Sequence, residues 1–143
     1  MKRIILITGS NRGLGKATGL KLCEYGHEVI FTSRNLNNLK AVEQEVQAKK
    51  YNASFFELDV CNLDSIINLK KEIQKKYDHI DTLINNAGIL NDRNDSILNL
   101  DHQLLHQTMN TNLFNPLYMI QQFQGLIKKS SNGVIVNISS VLG

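Results

Sequence analysis

A glycine-rich segment early in the chain has the composition of a phosphate-binding loop and reads Thr8-Gly9-Ser10-Asn11-Arg12-Gly13-Leu14-Gly15. The segment follows the apolar run Ile4-Ile5-Leu6-Ile7 and opens a stretch with helical spacing. Backbone N–H groups at a helix N-terminus bind a pyrophosphate, and glycines let the backbone approach closely because they lack a Cβ. The spacing is Gly-x-x-x-Gly-x-Gly rather than the more usual Gly-x-Gly-x-x-Gly. We expect residues 9–15 to bind a dinucleotide, the alternative being a glycine-rich turn without a ligand.

The end of the second apolar run bears on which dinucleotide binds. A free ribose 2′-hydroxyl is usually held by Asp or Glu about 20 residues beyond the glycine loop. The chain has no acid there, and the segment reads Phe31-Thr32-Ser33-Arg34. The guanidinium of Arg34 suits a 2′-phosphate, which Arg12 in the loop could also reach. This pattern predicts NADP(H) rather than NAD(H); the alternative is two solvated surface arginines.

A polar residue interrupts the apolar face of a long helical segment between residues 103 and 128. Its face has steps of four and three residues and carries Leu105, Met109, Asn112, Pro116, Met119, Phe123 and Leu126. An unsatisfied amide there would cost about 1–3 kcal/mol. Because Pro116 has no N–H, the Asn112 carbonyl should lose its helical partner and the helix should kink. A free carbonyl at a kink suits a bound water; the alternative is a helix break with a partly exposed Asn.

The elements that must position these residues alternate between strand-length apolar runs and helical patterns. The predicted strands are residues 3–8, 28–33, 54–60, 82–86 and 133–139. Their continuous apolar runs are typical of parallel strands buried on both faces. Gly26 is expected to end the first helix, and Asn35 and Asn62 to cap the next two. The order predicts an α/β fold with a Rossmann-type doubly wound parallel sheet of about five strands, in one domain over residues 1–143.

Length and composition exclude several classes of protein. The chain has 143 residues and a net charge of +3. No apolar run approaches the roughly 18 residues of a membrane span. Two cysteines do not make a disulfide scaffold and fit a reducing compartment, and the dispersed charge does not indicate nucleic acid. We therefore expect a cytoplasmic domain that binds neither membranes nor nucleic acids.

Four segments together resemble the classical short-chain dehydrogenase/reductase family, in particular its carbonyl-reductase-like members. They are residues 8–15, Leu58-Asp59-Val60, Asn85-Asn86-Ala87-Gly88 and Val136-Asn137-Ile138-Ser139-Ser140. The resemblance implies that Asp59 bonds the adenine amino group and that Val60 lines the adenine pocket. It also implies that the turn formed by Asn86, Ala87 and Gly88 faces the cofactor. The alternatives are a helix-initiating acid at Asp59 and a simple tight turn at residues 85–88.

The resemblance also implies catalytic residues. The carbonyl of Asn112 would hold a water in a proton relay, although the family often has Gly where Asn115 stands. Ser140, or in another alignment Ser139, would polarise the substrate carbonyl. The proton-donating Tyr-x-x-x-Lys motif has no match, because no lysine stands four residues after any of the tyrosines, which are Tyr25, Tyr51, Tyr77 and Tyr118.

The activity implied by the resemblance is NADPH-dependent reduction of a ketone or aldehyde, or the reverse alcohol oxidation, with a 3-oxoacyl thioester as the next candidate substrate. Without the Tyr-x-x-x-Lys motif, we expect residues 1–143 to be the N-terminal part of such an enzyme, with a sheet truncated at its C-terminal side. Alone it should be inactive and marginally stable, with homo-oligomers formed only by a full-length version. The alternative is a non-catalytic NADP(H)-binding module or an inactive remnant. His102 and His106 lack a third ligand, so no metal site is expected.

Overall fold

Five parallel strands form one sheet in the computed structural model, which describes residues 1–90, 96 and 98–139. The strands are β1 (Ile4–Ile7), β2 (Glu28–Ser33), β3 (Ala53–Glu57), β4 (Thr82–Asn85) and β5 (Val134–Asn137). Their order in the sheet is β3-β2-β1-β4-β5. The predicted doubly wound parallel sheet is thus confirmed. The strand order reverses between β1 and β4, and ligands of such sheets bind beyond the carboxyl ends of the strands at that reversal.

Helices and helical turns connect the strands. They are α1 (Gly13–Glu24), a 3-10 turn (Leu36–Leu39), α2 (Lys40–Ala48), α3 (Leu63–Lys76), α4 (His102–Met109), a π-helical turn (Asn110–Phe114) and α5 (Asn115–Ile127). The π turn lies between α4 and α5, where the sequence predicts one continuous helix with a kink. None of the helices in the described ranges is long and apolar enough to cross a membrane.

The predicted helix ends are confirmed by their hydrogen bonds. Gly26 has φ +85°, and the N–H groups of Gly26 and His27 donate to the carbonyls of Cys23 and Leu22 at 2.9 and 3.1 Å. This is the paired bonding of a glycine-terminated helix. The Asn62 side chain accepts from the N–H groups of Asp64 and Ser65 at 3.0 and 3.4 Å. Asn35 caps the 3-10 turn that leads into α2.

The hydrophobic core lies on both faces of the central strands. On one face Leu6, Ile30 and Leu83 pack with α3 and α5, whose buried residues include Ile66, Leu69, Ile73, Met119, Phe123 and Leu126. On the other face Ile5, Ile7 and Phe31 pack with α1 and α2 through Cys23, Val42 and Val46. Successive residues of β1 therefore enter opposite clusters, which holds its carboxyl end firmly between two helical layers.

Burial on both faces was wrong for β5. Val134 and Ile135 are 36% and 39% exposed, and the strand pairs only with β4 in the sheet order. An edge strand has one neighbour, and here the described helices cover little of it. Strand β2 has the predicted bounds, whereas the other four strands are shorter than predicted. After β3, the N–H of Leu58 still donates to the Ser33 carbonyl of β2 at 2.8 Å. The carbonyl of Asp59 accepts from the N–H of Asn62 at 3.1 Å, so the chain turns away from the sheet after residue 58.

The predicted apolar face of the long helical segment was correct only after the π turn. Met119, Phe123 and Leu126 are buried, whereas Leu105 and Met109 are 45% and 39% exposed and Asn112 is exposed too. A π turn winds one more residue into each turn than an α-helix does. The buried residues of α5 therefore do not lie on the same face as Leu105 and Met109 of α4, although helical spacing predicts one shared face.

Candidate functional site

Two predicted segments meet at the carboxyl ends of β1 and β4. The Thr8 hydroxyl accepts hydrogen bonds from the N–H groups of Asn86 and Ala87, at 3.0 and 2.9 Å. In return, Asn86 Nδ2 donates to the carbonyls of Thr8 and Gly9, at 3.1 and 3.0 Å. These four bonds join the glycine loop to the turn at residues 85–88, at the point where the strand order reverses.

The junction leaves no room for side chains at two of the glycines. Gly9 has φ +61°, and a Cβ there would lie 3.0 Å from Ala87 Cα. At Gly15 a Cβ would lie 2.4 Å from Asn86 Nδ2 and 2.6 Å from the Gly9 carbonyl oxygen. All three distances are shorter than ordinary van der Waals contact, and the positive φ at Gly9 would also strain a residue with a side chain. The close approach of the two loops therefore favours glycine at both positions.

The N-terminus of α1 opens from this loop without a cap. Its first residue is Gly13, and the side chain of the N-cap residue, Arg12, accepts no hydrogen bond from the first N–H groups of the helix. The first N–H groups of a helix have no partner within the helix and carry its positive dipole end. Together with the bare glycine backbone, these donors form a cradle whose chemistry fits a phosphate.

Ser10 lies under the loop rather than on its open side. The residue is fully buried. Its N–H donates to the Thr32 carbonyl at 2.9 Å, and its hydroxyl accepts from the Thr32 N–H at 2.9 Å. Although Ser10 was predicted to contact the cofactor, its N–H and its hydroxyl are thus both hydrogen-bonded to β2. It ties the loop to the neighbouring strand.

The basic side chains predicted for a 2′-phosphate lie exposed at this end of the sheet. Arg12 and Arg34 are both exposed, and neither forms an ion pair with a residue in the ranges described. Arg34 follows β2 and lines a surface groove together with Asp59 and Asn62. The structure therefore brings Arg34 and Asp59, which are 25 residues apart in the sequence, to one groove.

Asp59 and Val60 form the wall between that groove and the crevice beyond β1 and β4. Asp59 Oδ1 accepts from the Cys61 N–H at 2.9 Å, and the Asp59 N–H donates to Ser65 Oγ at 2.9 Å. Val60 is buried and lines a depression with Thr8 and Ala87. The helix cap in this segment is Asn62, so the side chain of Asp59 shapes the turn that precedes it.

Asn112 lies in the π turn with both polar atoms of its amide paired. Its Oδ1 accepts from the Ile89 N–H at 2.9 Å, and its Nδ2 donates to the Ile89 carbonyl at 2.8 Å. Within the π turn, the Asn115 N–H donates to the carbonyl of Asn110. Pro116 has no N–H to offer to the carbonyl of Asn112, as the sequence indicates. The regular α-helix is thus interrupted at Asn112 by the π turn.

The structure also shows site residues that the sequence reasoning did not assign. Thr8 supplies the hydroxyl that joins the two loops, and its only sequence sign is that it is the first polar residue after β1. Asn115 is 2% exposed and contacts Cys61. Its place four residues before the buried Met119 is a helical spacing that could have indicated burial.

The remaining predicted residues lie at or beyond the end of β5. Asn85 Nδ2 donates to Asn137 Oδ1 at 2.8 Å, which aligns β5 with β4 at their carboxyl ends. Ser139 is exposed, and Ser140 lies outside the described residues. No group of three metal-binding side chains occurs in the described ranges, and His102 and His106 are both exposed.

The sheet order, the two helical layers and the glycine loop at the reversal point define a Rossmann-type α/β domain. The family model for short chain dehydrogenase matches residues 3–143, and the chain belongs to that family of oxidoreductases.

Named relatives agree with this assignment. The chain is 38% identical over 143 residues to 3-oxoacyl-(acyl-carrier-protein) reductase FabG of Buchnera aphidicola subsp. Schizaphis graminum, covering 99% of the chain and 56% of that protein. It is 36% identical over 141 residues to Carbonyl reductase (NADPH) 1 of Macaca fascicularis, covering 98% and 50%. The chain therefore spans about half the length of these relatives.

Solved structures show the same fold. A gluconate 5-dehydrogenase from Burkholderia cenocepacia J2315, in complex with NADP and tartrate, is similar with a TM-score of 0.89 at 27% identity, covering 99% of this chain and 55% of that one. A metagenomic short-chain oxidoreductase in complex with NADP has a TM-score of 0.90 at 27% identity, covering 97% and 62%.

Proposed function

We propose that the chain binds NADP(H) and supplies the cofactor site of an oxidoreductase that interconverts a carbonyl compound and an alcohol. The observation that carries the proposal is the junction of the glycine loop with Asn86 and Ala87, directly above the uncapped N-terminus of α1. Gly9 and Gly15 let the loop pack closely against the turn at residues 85–88. A Cβ at Gly13, the first residue of α1, would meet nothing within 4 Å in the described structure, which supports open space for a pyrophosphate there. The free N–H donors of the first turn would neutralise its charge.

The adenine end of the cofactor would lie along the groove that Arg34 and Asp59 share. Arg34 has no ion-pair partner in the described ranges and is therefore available to a 2′-phosphate, with Arg12 approaching from the loop. Asp59 would accept from the adenine amino group, and Val60 would pack on the ring. Asn11, Gly13 and Leu14 complete the phosphate side, and Asn86, Ala87 and Gly88 the side nearer the substrate. An arginine in place of the usual acid favours NADP(H) over NAD(H).

The catalytic part of the proposal concerns Asn112 and Ser140. When bound, the nicotinamide would supply or accept the hydride. The side chain of Asn112 is held by Ile89. Its main-chain carbonyl, which the N–H-lacking Pro116 cannot bond, would hold a water for proton transfer. Ser140 would hydrogen-bond the substrate oxygen beyond the end of β5, where ligands of doubly wound sheets bind.

The substrate is proposed as a small ketone or aldehyde, with a 3-oxoacyl thioester as the second candidate. The names of two relatives, a carbonyl reductase and a 3-oxoacyl-(acyl-carrier-protein) reductase, support these two classes about equally. None of the residues assigned to the site above distinguishes a small ketone or aldehyde from a 3-oxoacyl thioester. Family membership supports the coarser reaction, oxidation or reduction, for both.

A non-catalytic NADP(H)-binding module is the second candidate function. It would account for the sequence of residues 1–143, in which none of the four tyrosines is followed by lysine at the spacing of Tyr-x-x-x-Lys. On either candidate, the 143 residues should bind the cofactor without turning it over. The two differ in whether the gene encodes a Tyr-x-x-x-Lys segment downstream of Gly143.

The test is a thermal melt of the chain with NADPH and with NADH, together with an assay for NADPH oxidation. Selective binding to the folded state raises the melting temperature by mass action. We expect NADPH to raise it more than NADH, with no NADPH consumed in the presence of a ketone. Equal melting temperatures with and without NADPH would contradict the proposal.

A further inference from the structure

A buried amide joins two parts of the candidate site that are far apart in the sequence. Asn115, the first residue of α5, is 2% exposed, and its Nδ2 donates to Cys61 Sγ at 3.5 Å. The same sulfur shares a hydrogen bond with Thr111 Oγ1 at 3.1 Å. Thr111 is 6% exposed. We refer to Cys61, Thr111 and Asn115 as the thiol cluster.

The thiol cluster connects the adenine side of the site to the π turn. Cys61 directly follows Asp59 and Val60, and its N–H donates to Asp59 Oδ1 at 2.9 Å. Thr111 lies inside the π turn, next to Asn112, and Asn115 follows the turn. Movement of the loop after β3 would therefore break contacts at the segment that carries Asn112.

The burial of Asn115 makes its contact with Cys61 important for the stability of the folded state. A buried amide without a partner is unfavourable because it has lost its hydrogen bonds to water. In the described part of the chain, the sulfur of Cys61 is the hydrogen-bond partner of Asn115 Nδ2. The folded state is therefore favoured when Cys61 stays against the π turn. Thr111 and Asn115 also line the depression that Val60 and Ala87 line.

We propose that Asn115 is a positioning residue, which fixes the loop at residues 59–61 against the π turn through Cys61. The proposal rests on the proposed function, since the ligand of that loop is the adenine end of NADP(H). It assigns a purpose to the residue at which this sequence departs from the glycine common in the family it resembles. The effect expected on ligand binding is a loss of preorganisation, because a loop that is not held must be ordered by the ligand.

The first test needs no ligand and measures amide hydrogen exchange. Asn115→Ala should speed exchange several-fold at the N–H groups of Cys61 and Asn62, and Thr111→Val should do the same. The N–H groups of β4 should keep their rates. Unchanged rates at Cys61 and Asn62 would overturn the proposal, because the loop would then be held without the thiol cluster.

The second test measures the dissociation constant of adenosine 2′,5′-bisphosphate, a probe of the adenine half alone. Asn115→Ala and Cys61→Ala should each weaken binding several-fold. The double variant should be no weaker than Cys61→Ala alone, since that substitution already removes the contact with Asn115 together with the bond to Thr111. Cys61→Ser, which keeps a hydrogen-bonding group, should recover part of the affinity. Additive losses in the double variant would contradict the proposal.

A matched control separates positioning from general destabilisation. Ile73→Val removes one methylene from a fully buried residue of α3, remote from the thiol cluster. It should lower the melting temperature and leave the affinity for adenosine 2′,5′-bisphosphate unchanged. If the unaltered chain binds neither this probe nor NADPH, the proposed function fails, and the exchange rates alone decide the role of Asn115. If it binds and the Asn115 and Cys61 variants bind as tightly, the positioning role is refuted.

Discussion

Asn112 makes both of its side-chain hydrogen bonds to the main chain of a single residue, Ile89. The N–H of Ile89 donates to Asn112 Oδ1 at 2.9 Å, and its carbonyl accepts from Asn112 Nδ2 at 2.8 Å. Because Ile89 directly follows the turn at residues 85–88, this pair joins the π turn to the loops that would hold the cofactor. The main-chain carbonyl of Asn112 is thereby fixed relative to the cofactor cradle.

Replacing Asn112 should detach the π turn from that junction. Asn112→Ala removes two hydrogen bonds, each contributing about 0.5–1.5 kcal/mol, and exposure of the pair to water reduces the total. We expect the free energy of unfolding, measured by urea denaturation, to fall by about 1 kcal/mol. The control is Gln107→Ala, an exposed residue of α4, which should change stability by less than about 0.5 kcal/mol. Equal effects of the two substitutions would show that the Asn112–Ile89 pair does not stabilise the fold.

Introducing a methyl group at Gly15 should separate the two loops of the cradle. In Gly15→Ala the new Cβ would lie 2.4 Å from Asn86 Nδ2 and 2.6 Å from the Gly9 carbonyl oxygen, so one partner must move. We expect a lower melting temperature and a loss of the stabilisation by NADPH.

The matched control for this substitution is Gly125→Ala, in α5. A Cβ at Gly125 meets nothing within 4 Å in the described structure. Alanine is favoured over glycine inside a helix by about 0.5–1 kcal/mol. Gly125→Ala should therefore raise the melting temperature and keep the response to NADPH. If Gly15→Ala leaves both the melting temperature and the response to NADPH unchanged, the close contact between the two loops at Gly15 is contradicted.

The pH dependence of stability should reflect Glu28 at the start of β2. Burial raises the pKa of its carboxyl, but hydrogen bonds from Tyr77 and Lys2, together with the charges of Lys2 and Lys76, outweigh burial and hold the pKa below its usual value of 4.5. The unfolded chain then binds more protons than the folded chain between the two pKa values, so the stability from Glu28 is present above about pH 4.5 and is lost as the pH falls through the folded pKa. Urea denaturation at several pH values in this range should show that the free energy of unfolding falls less steeply with decreasing pH in Glu28→Gln than in the unaltered chain. Glu57→Gln, at an exposed residue, is the control, and an unchanged slope in Glu28→Gln would rule out this contribution.

Elements set by local interactions were predictable from the sequence. Gly26 ends α1 because only a residue tolerant of positive φ fits there, and Asn62 caps α3 with its own side chain. The meeting of the glycine loop with Asn86 was also predictable in outline, since the carboxyl ends of β1 and β4 share one edge of the sheet. The hydroxyl of Thr8 that joins them was not, because it depends on the exact approach of two loops.

Features that depend on distant contacts escaped the sequence. The π turn changes the buried side of the helix by one residue, so Asn112 lies exposed although helical spacing places it on the apolar face. The contact of Asn115 with Cys61 spans 54 residues, and no local pattern encodes it. Val134 reads as a buried strand residue but is exposed, since burial depends on which strand forms the edge.

If the chain binds NADP(H) with Arg34 on the 2′-phosphate, its preference between the two cofactors should depend on Arg34. Isothermal titration of the chain with NADPH and NADH, before and after Arg34→Asp, measures this dependence. The unaltered chain should bind NADPH more tightly than NADH. Because Arg34→Asp removes a cation and supplies a carboxylate for a ribose hydroxyl, it should reverse that order. A chain that does not bind NADPH, or an Arg34→Asp chain that keeps the same preference for NADPH over NADH, would contradict this role of Arg34.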